Sequence, residues 1–342
     1  MKHYNIPIFT PQLACPHCCI YCNQRHISGE MKVPTPYEVK QTIDTYLQTI
    51  GAKSDDLPLI DKKAEIQVAF FGGSFTCLPE QMQIQYLEVV QPYIQDGKIQ
   101  SIRLSTRPDY IDIPTLDRLK TYNVRDIELG AQSLDDEVLA FSERGHTCAD
   151  VKKASELINS YNFNLGLQMM VGLPLDTIEK TKLSAEKIVS MKAVSTRIYP
   201  TLVIAHTKLA QLYKEGKYQP LTLQQGVLWA KEAYKIFKKN DVNVLRVGLH
   251  PSKDLMSGEG LLAGPFHVSF KELVLTQLWK DTLLENFSEQ DYKQINKLYF
   301  HPSEINYAIG YNSENKKLLQ TFNPQLLFLQ REDIPVGTFV AE

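Results

Sequence analysis

The sequence predicts an α/β protein: a partial (β/α)6 barrel followed by a small C-terminal α+β domain. Two observations carry this. Short β-rich apolar segments alternate with helix-patterned ones, as in repeated βα units around parallel strands. The chain's 342 residues, 43% hydrophobic and 22% charged, also suffice for one large globular domain and an appendage. The expected division is 1–275 for the barrel with a C-terminal helical extension and 276–342 for the small domain.

Six segments read as strands: Asn5 to Phe9, Ile66 to Phe71, Ile102 to Thr106, Asp126 to Gln132, Phe163 to Val171 and Thr196 to Val203. After the start signal Pro34-Thr35-Pro36, Val39, Ile43, Leu47 and Ile50 recur at helical spacing, and Ile84, Leu87, Val90 and Ile94 repeat the pattern. In such a barrel the chemistry is expected in the loops at the C-terminal strand ends. A helical stretch from Leu221 to Asn240 then leads to a β-like segment, Val242 to Leu249, and a glycine-rich loop, Gly258 to Gly264.

The formal net charge of -2 gives no global reason to bind nucleic acid, although it leaves room for a local basic face. The N-terminal MKHYNIPIFTPQ lacks the apolar run of a signal peptide, and no later stretch is apolar over a membrane-spanning length. The expectation is a cytoplasmic protein with no membrane partner. There, cysteines stay reduced, and a cysteine cluster reads as metal binding before disulfide pairing.

Of the six cysteines, four lie together as Cys15, Cys18, Cys19 and Cys22. Taking Cys15, Cys19 and Cys22 gives Cys-x3-Cys-x2-Cys. Three thiolates hold three irons of a 4Fe-4S cube and leave the fourth iron open, which separates a catalytic centre from a closed structural one. A structural zinc on all four thiols is the alternative, and adjacent Cys18 and Cys19 make it awkward because neighbours in an extended loop point apart. An ordinary ferredoxin cluster would need a fourth well-placed cysteine, which Cys77 or Cys148 would supply only by an accident of folding.

This spacing, with Tyr21 before the last cysteine, resembles the radical S-adenosylmethionine (SAM) superfamily. Phe70-Phe71-Gly-Gly-Ser-Phe75 is similar to its second-strand glycine motif. Over roughly residues 1 to 220 the chain resembles the radical SAM half of the Elongator catalytic subunit, on the strings Ser105-Thr-Arg-Pro-Asp-Tyr110, Glu128-Leu-Gly-Ala-Gln-Ser133, Arg144-Gly-His-Thr147, Met169-Met-Val-Gly-Leu-Pro174 and Arg197-Ile-Tyr-Pro-Thr-Leu-Val203. The resemblance implies a radical SAM barrel, a 4Fe-4S cluster, SAM as cofactor and a one-electron reductant of the flavodoxin or ferredoxin class.

It also implies roles. Tyr21 packs beside the adenine, Gly72, Gly73 and Ser74 hold the methionine amino end, and Gln132 and Arg144 contact ribose and carboxylate. Ser105 stands where the family's string usually has Glu, and Gln168 where related oxygen-independent coproporphyrinogen oxidases have Asp. Read without the family pattern, Arg144 is a solvated helix-end residue, Met169 and Met170 both face the core, and Arg107 pairs with Asp109. Tyr199 and His206 read as a packed tyrosine and a surface histidine, so no catalytic residue is named.

The Elongator subunit has a wider gap between its first two cluster cysteines and continues into an acetyltransferase domain, whereas this chain is expected to end at Glu342 without one. Its tail, Ser303 to Lys316, resembles the helix-loop-helix centre of KH modules, with Gly310 opening a GxxG-like loop whose last glycine is Ser313. Asn296 to Phe300 and Gln325 to Leu329 are its candidate strands, and Gly310, Ser313, Lys316 and Lys317 its candidate RNA contacts. The expected activity is radical modification of RNA or tRNA after SAM cleavage. The alternatives are a small metabolite or protein as substrate, or a noncatalytic, metal-stabilised RNA-binding protein.

Overall fold

The computed structural model describes residues 3–10, 15, 19–23, 33–52, 65–249, 253–258 and 260–342. Twelve strands lie among them: β1 His3–Thr10, β2 Glu65–Gly72, β3 Ser101–Thr106, β4 Val124–Gln132, β5 Asn164–Val171, β6 Ser195–Pro200, β7 Val203–Ile204, β8 Asn243–Val247, β9 Leu261–Ala263, β10 Lys297–Phe300, β11 Leu327–Gln330 and β12 Phe339–Ala341. A curled seven-stranded sheet runs β1-β2-β3-β4-β5-β6-β8, parallel at every pairing, and this partial barrel is the fold the βα pattern predicts.

Two details depart from the sequence reading. The sixth strand, expected as one piece from Thr196 to Val203, breaks after Pro200, and Val203–Ile204 pairs antiparallel with β9. The glycine-rich segment thus supplies β9, while the β-like segment after residue 242 joins the sheet as its seventh strand.

Period-two alternation divides the sheet into two faces. Ile66, Val68, Phe70, Leu104, Ile127, Leu129, Leu165, Leu167, Met169 and Ile198 are buried against the crossover helices Pro36–Ala52, Glu80–Gln95, Ile113–Thr121, Cys148–Ser160 and Ile178–Ser190. The first helix starts where Pro34-Thr35-Pro36 predicts: the Thr35 N–H donates to Glu38 Oε2 at 2.6 Å and the Glu38 N–H to Thr35 Oγ1 at 3.2 Å. Met170, one residue out of phase with Met169, falls on the opposite face beside Cys19, Ile20 and Tyr21. The two methionines therefore do not share the core, because adjacent strand residues cannot share a face.

The inner face is polar. Glu128 accepts from Arg103 Nη1 at 2.7 Å and from Arg197 Nη2 at 3.1 Å. Arg103 also meets Asp126 at 3.0 Å, and Gln67 Nε2 donates to Asp126 Oδ2 at 2.6 Å. Burial works to raise the Glu128 carboxyl, but Arg197 and Arg103 outweigh it and hold the group below its ordinary value.

A second, aromatic core lies under β10, β11 and β12, built on Trp279, Tyr292, Leu298, Phe300 and Leu326. Here β10 pairs parallel with β11 and antiparallel with β12. The helix Phe270–Asn286 joins the two cores, with Phe270 and Val274 packed in the first and Trp279 and Leu283 in the second. Among the described residues no helix is long and apolar enough to cross a membrane.

Candidate functional site at the C-terminal strand ends

Residues 19–23 of the cysteine segment lie across the C-terminal ends of the barrel strands. Ile20 N–H donates to the Ser142 carbonyl at 3.2 Å, Leu209 N–H to the Ile20 carbonyl at 2.7 Å, and Asn23 Nδ2 to the Ala205 carbonyl at 3.3 Å. Cys19, Ile20 and Tyr21 are buried with Val138, Leu173, Val203 and Leu209. The Cys22 N–H donates to the Cys19 carbonyl at 3.0 Å, a tight turn that brings the two residues together.

The strand ends then meet these thiols. The peptide N–H of Ser74 acts electrostatically on the Cys15 thiol. Burial pushes the Cys15 thiol up, opposed by that N–H and by the charges of Arg144 and Arg107. Gly72 has φ +100° and would carry a Cβ only 3.1 Å from the Thr10 carbonyl oxygen, and the Gly73 N–H donates to that same oxygen at 2.5 Å. Ser74 Oγ is engaged by Thr106 Oγ1 at 2.8 Å and by Cys77 Sγ at 3.0 Å.

Arg144 is buried, at 6% exposure, and reaches the cysteine loop directly. Its Nη1 donates to Cys19 Sγ at 3.4 Å and its Nη2 to the Gly130 carbonyl at 2.7 Å. Burial would lower its pKa, yet Tyr21, Cys19 and Cys15 carry it upward. Gly130 makes the approach possible: a Cβ there would lie 2.8 Å from Gln132 Nε2 and 2.9 Å from Arg144 Nη2. Gln132, at φ +66° on a bulge of β4, accepts from Gln168 Nε2 at 3.0 Å across the sheet. Ser105 is opposite Glu128 in the register, and its side chain makes no hydrogen bond among the described residues.

Four buried polar atoms here have no nitrogen or oxygen partner among the described residues: Tyr21 Oη, Arg107 Nη1, Arg144 Nε and His146 Nδ1. Burial drives Tyr21 well up, with Cys19 beside it adding to the shift. Burial, then the Arg144 and Arg107 charges, brings His146 down to about 3, so it is neutral. Buried polar groups are ordinarily bonded, and an orphaned set beside three thiols marks a place that a bound polar group completes.

Two guanidiniums, a peptide N–H and three sulfurs suit an anionic, sulfur-ligated group. No three His, Cys, Asp or Glu side chains among the described residues are grouped so that they could hold a metal ion. Cys18, the fourth thiol of the zinc alternative, lies outside the described residues.

Cys15, Cys19, Cys22, Tyr21, Gly72, Gly73, Ser74, Gln132, Arg144 and Gln168 therefore come to one end of the barrel. The C-terminal set lies apart. Gly310, at φ +86°, faces the chain's own helix: a Cβ would lie 2.9 Å from Thr276 Cγ2, and the Tyr311 N–H donates to Thr276 Oγ1 at 2.8 Å. Its close approach is thus to Thr276, while Lys317 is exposed and Ser313 and Lys316 half-buried.

Sequence reasoning underread Arg107 and Gly130. Arg107 does pair with Asp109, through Nε and Nη2 at 2.9 Å each, but it also bonds the loops around it. Both residues lie within the strings that resemble the family, and only their neighbours in space reveal what they do. Cys77 too comes within electrostatic reach of Cys15; burial pushes its thiol up to about 11.

Comparison with known proteins agrees with this geometry. The family model of the Radical SAM superfamily matches residues 9–188, and that of the Radical_SAM C-terminal domain residues 194–294. A tRNA uridine(34) acetyltransferase of Methanocaldococcus infernus is 26% identical over 265 residues, covering 68% of this chain and 49% of the relative. Elongator complex protein 3 of Schizosaccharomyces pombe is 26% identical over 243 residues, covering 61% and 45%. The chain thus spans about half the length of the curated relatives it matches. In fold it is similar to Elp3 of Methanocaldococcus infernus lacking its N-terminus, with a TM-score of 0.62 at 20% identity over 82% of this chain and 64% of that one.

Proposed function

Because the chain belongs to the radical SAM superfamily and is an enzyme of that class, we propose that it binds a 4Fe-4S cluster through Cys15, Cys19 and Cys22 and SAM beside it, and that it modifies RNA, with tRNA the favoured class. The observation that carries this reading is the orphaned set around Arg144 and Tyr21, gathered where the three thiols meet the strand ends. The cluster, when bound, supplies an electron that cleaves SAM to a 5'-deoxyadenosyl radical able to take a hydrogen atom from the substrate.

The chain's own residues do the rest. Arg144 neutralises thiolate charge and offers Nε to a carboxylate. The side-chain-free backbone at Gly72 and Gly73 leaves room for the methionine end beside the Ser74 amide. Tyr21 and Met170 cover the cysteine turn and keep water from it. Ser105, Gln132 and Gln168 present a hydroxyl and two amides from the inner face. A flavodoxin- or ferredoxin-class protein would deliver the electron in the cytoplasm.

The RNA assignment rests on the names of the tRNA-directed relatives, and Lys317, exposed on the helix Glu314–Gln320 that follows the Gly310 loop, bears on it. The tail, expected from the sequence at 276–342, is the region to test for it. Anaerobic reconstitution, dithionite reduction and quantification of 5'-deoxyadenosine should give product from wild type and none from Cys19→Ala. Stimulation by tRNA supports the substrate class; product formation indifferent to tRNA would favour a small metabolite or protein, and zinc in place of iron would sink the whole reading.

A further inference from the structure

Arg107 is among the largest side chains the fold buries completely, at 2% exposure. A buried guanidinium is costly unless its donors are matched, so its partners show what holds it there. Asp109 takes Nε and Nη2 in a fork, both at 2.9 Å. Nη2 also donates to the backbone carbonyl of Arg144 at 2.7 Å, and the Arg107 N–H donates to Ser74 Oγ at 3.0 Å. One residue at the end of β3 thereby joins the loop after β2 to the turn that carries Arg144.

Arg144 gives Nη1 to Cys19 at 3.4 Å, and the Ser74 backbone lies within electrostatic reach of Cys15, so both ends of this connection reach proposed cluster thiols. Arg107 Nη1 remains without a partner among the described residues, as does Arg144 Nε. Asp109 pairs with Arg107, while Arg144, the second buried guanidinium, hydrogen-bonds the Gly130 carbonyl and the Cys19 sulfur and meets no carboxylate among the described residues. The pocket is thus short of negative charge and its walls are fixed relative to one another by Arg107.

We propose that Arg107, held by Asp109, is a positioning residue for SAM: it fixes Arg144 and Ser74 in one frame, so that the carboxylate and amino ends of the cofactor meet preset partners. This rests on the reading that the cluster and SAM bind here. A lysine in place of Arg107 keeps the charge but cannot bridge Asp109 and the Arg144 carbonyl in a planar fork. An asparagine at 109 removes the charge that orients the fork while leaving Arg107 in place.

The test uses anaerobically reconstituted full-length wild type, Arg107→Lys and Asp109→Asn, measuring iron content, SAM affinity by equilibrium dialysis with the cluster oxidised, and the change that SAM causes in the reduced cluster's electron paramagnetic resonance spectrum. Expected are wild-type iron content, SAM binding weakened about 10–100-fold and a diminished spectral response in both variants. A variant with full iron and SAM affinity within about twofold of wild type would overturn the proposal. Joint loss of iron and SAM in both variants would also overturn it, since the pair would then hold the fold or the cluster. Should Arg107→Lys not fold, Asp109→Asn decides alone. Wild type that takes up iron but no SAM, or no iron, brings down the underlying reading and this one with it.

Discussion

On the outer face of the curled sheet, Val68, Leu104, Ile127, Leu167 and Ile198 are sealed under helices in one apolar core. On the inner face of the same strands, one residue along, Gln67, Arg103, Asp126 and Glu128 are buried nearly as deeply, and each is satisfied by a charged or amide neighbour. The outer face is held by area removed from water, so its members are individually replaceable by other apolar side chains of similar volume. The inner face is held by matching of partners, so removing one member strands the others. Further up that inner face, toward the C-terminal strand ends, the matching stops being complete, and there the thiols and the unpartnered donors lie.

The largest effect should come from breaking the inner match. Glu128→Ala leaves Arg103 and Arg197 buried without their shared carboxylate and should cost about 3–5 kcal/mol by chemical denaturation. Leu167→Ala on the outer face should cost about 2–5 kcal/mol, the loss of a fully buried side chain plus its cavity, while Leu167→Met stays below about 1.5 kcal/mol. Equal tolerance of apolar substitution at Glu128 and Leu167 would erase the distinction between the faces.

At the unfinished end of the inner face the effect should move from stability to binding. Gly130→Ala would place a methyl 2.9 Å from Arg144 Nη2, displacing the guanidinium, and SAM affinity should fall about tenfold, or ~1.4 kcal/mol, with unfolding nearly unchanged. Unaltered SAM affinity in that variant would separate Arg144 from the cofactor.

The smallest effect concerns His146 in protein without cluster. Its folded value is about 3 against an ordinary 6.5. Between these, the unfolded chain takes up a proton that the folded chain refuses, so stability falls as pH drops below 6.5, by at most about 1.4 kcal/mol per pH unit. Asp176, which burial pushes up to about 6, has the opposite slope, and it cancels in a comparison of His146→Gln with wild type. The variant should lose less stability than wild type on going from pH 6.5 toward 4.5; parallel curves would mean that His146 is open to water.

Much of this was legible without coordinates. The alternation of apolar periods predicts the strands, their parallel order and the crossover helices, because a period of two or 3.6 is a property of local geometry that every strand or helix must show. The cysteine spacing likewise singles out the three thiols of the proposed cluster, since a short loop leaves few ways to present them. The break of the sixth strand at Pro200 and the antiparallel pairing of Val203–Ile204 were not legible, since they depend on β9, more than fifty residues away.

The sequence by itself determined which residue types the barrel exposes on each face and where the clustered cysteines lie along the chain, because both are set by neighbours within a few positions. Tertiary structure alone decided that Met170 leaves the core that Met169 enters, that Gly310 meets Thr276, and that Arg107 bonds to Ser74 and to the Arg144 carbonyl. These are contacts between segments far apart in the chain. A side chain's partners across such a distance are set by how strands stack and loops return, and local pattern carries no record of that.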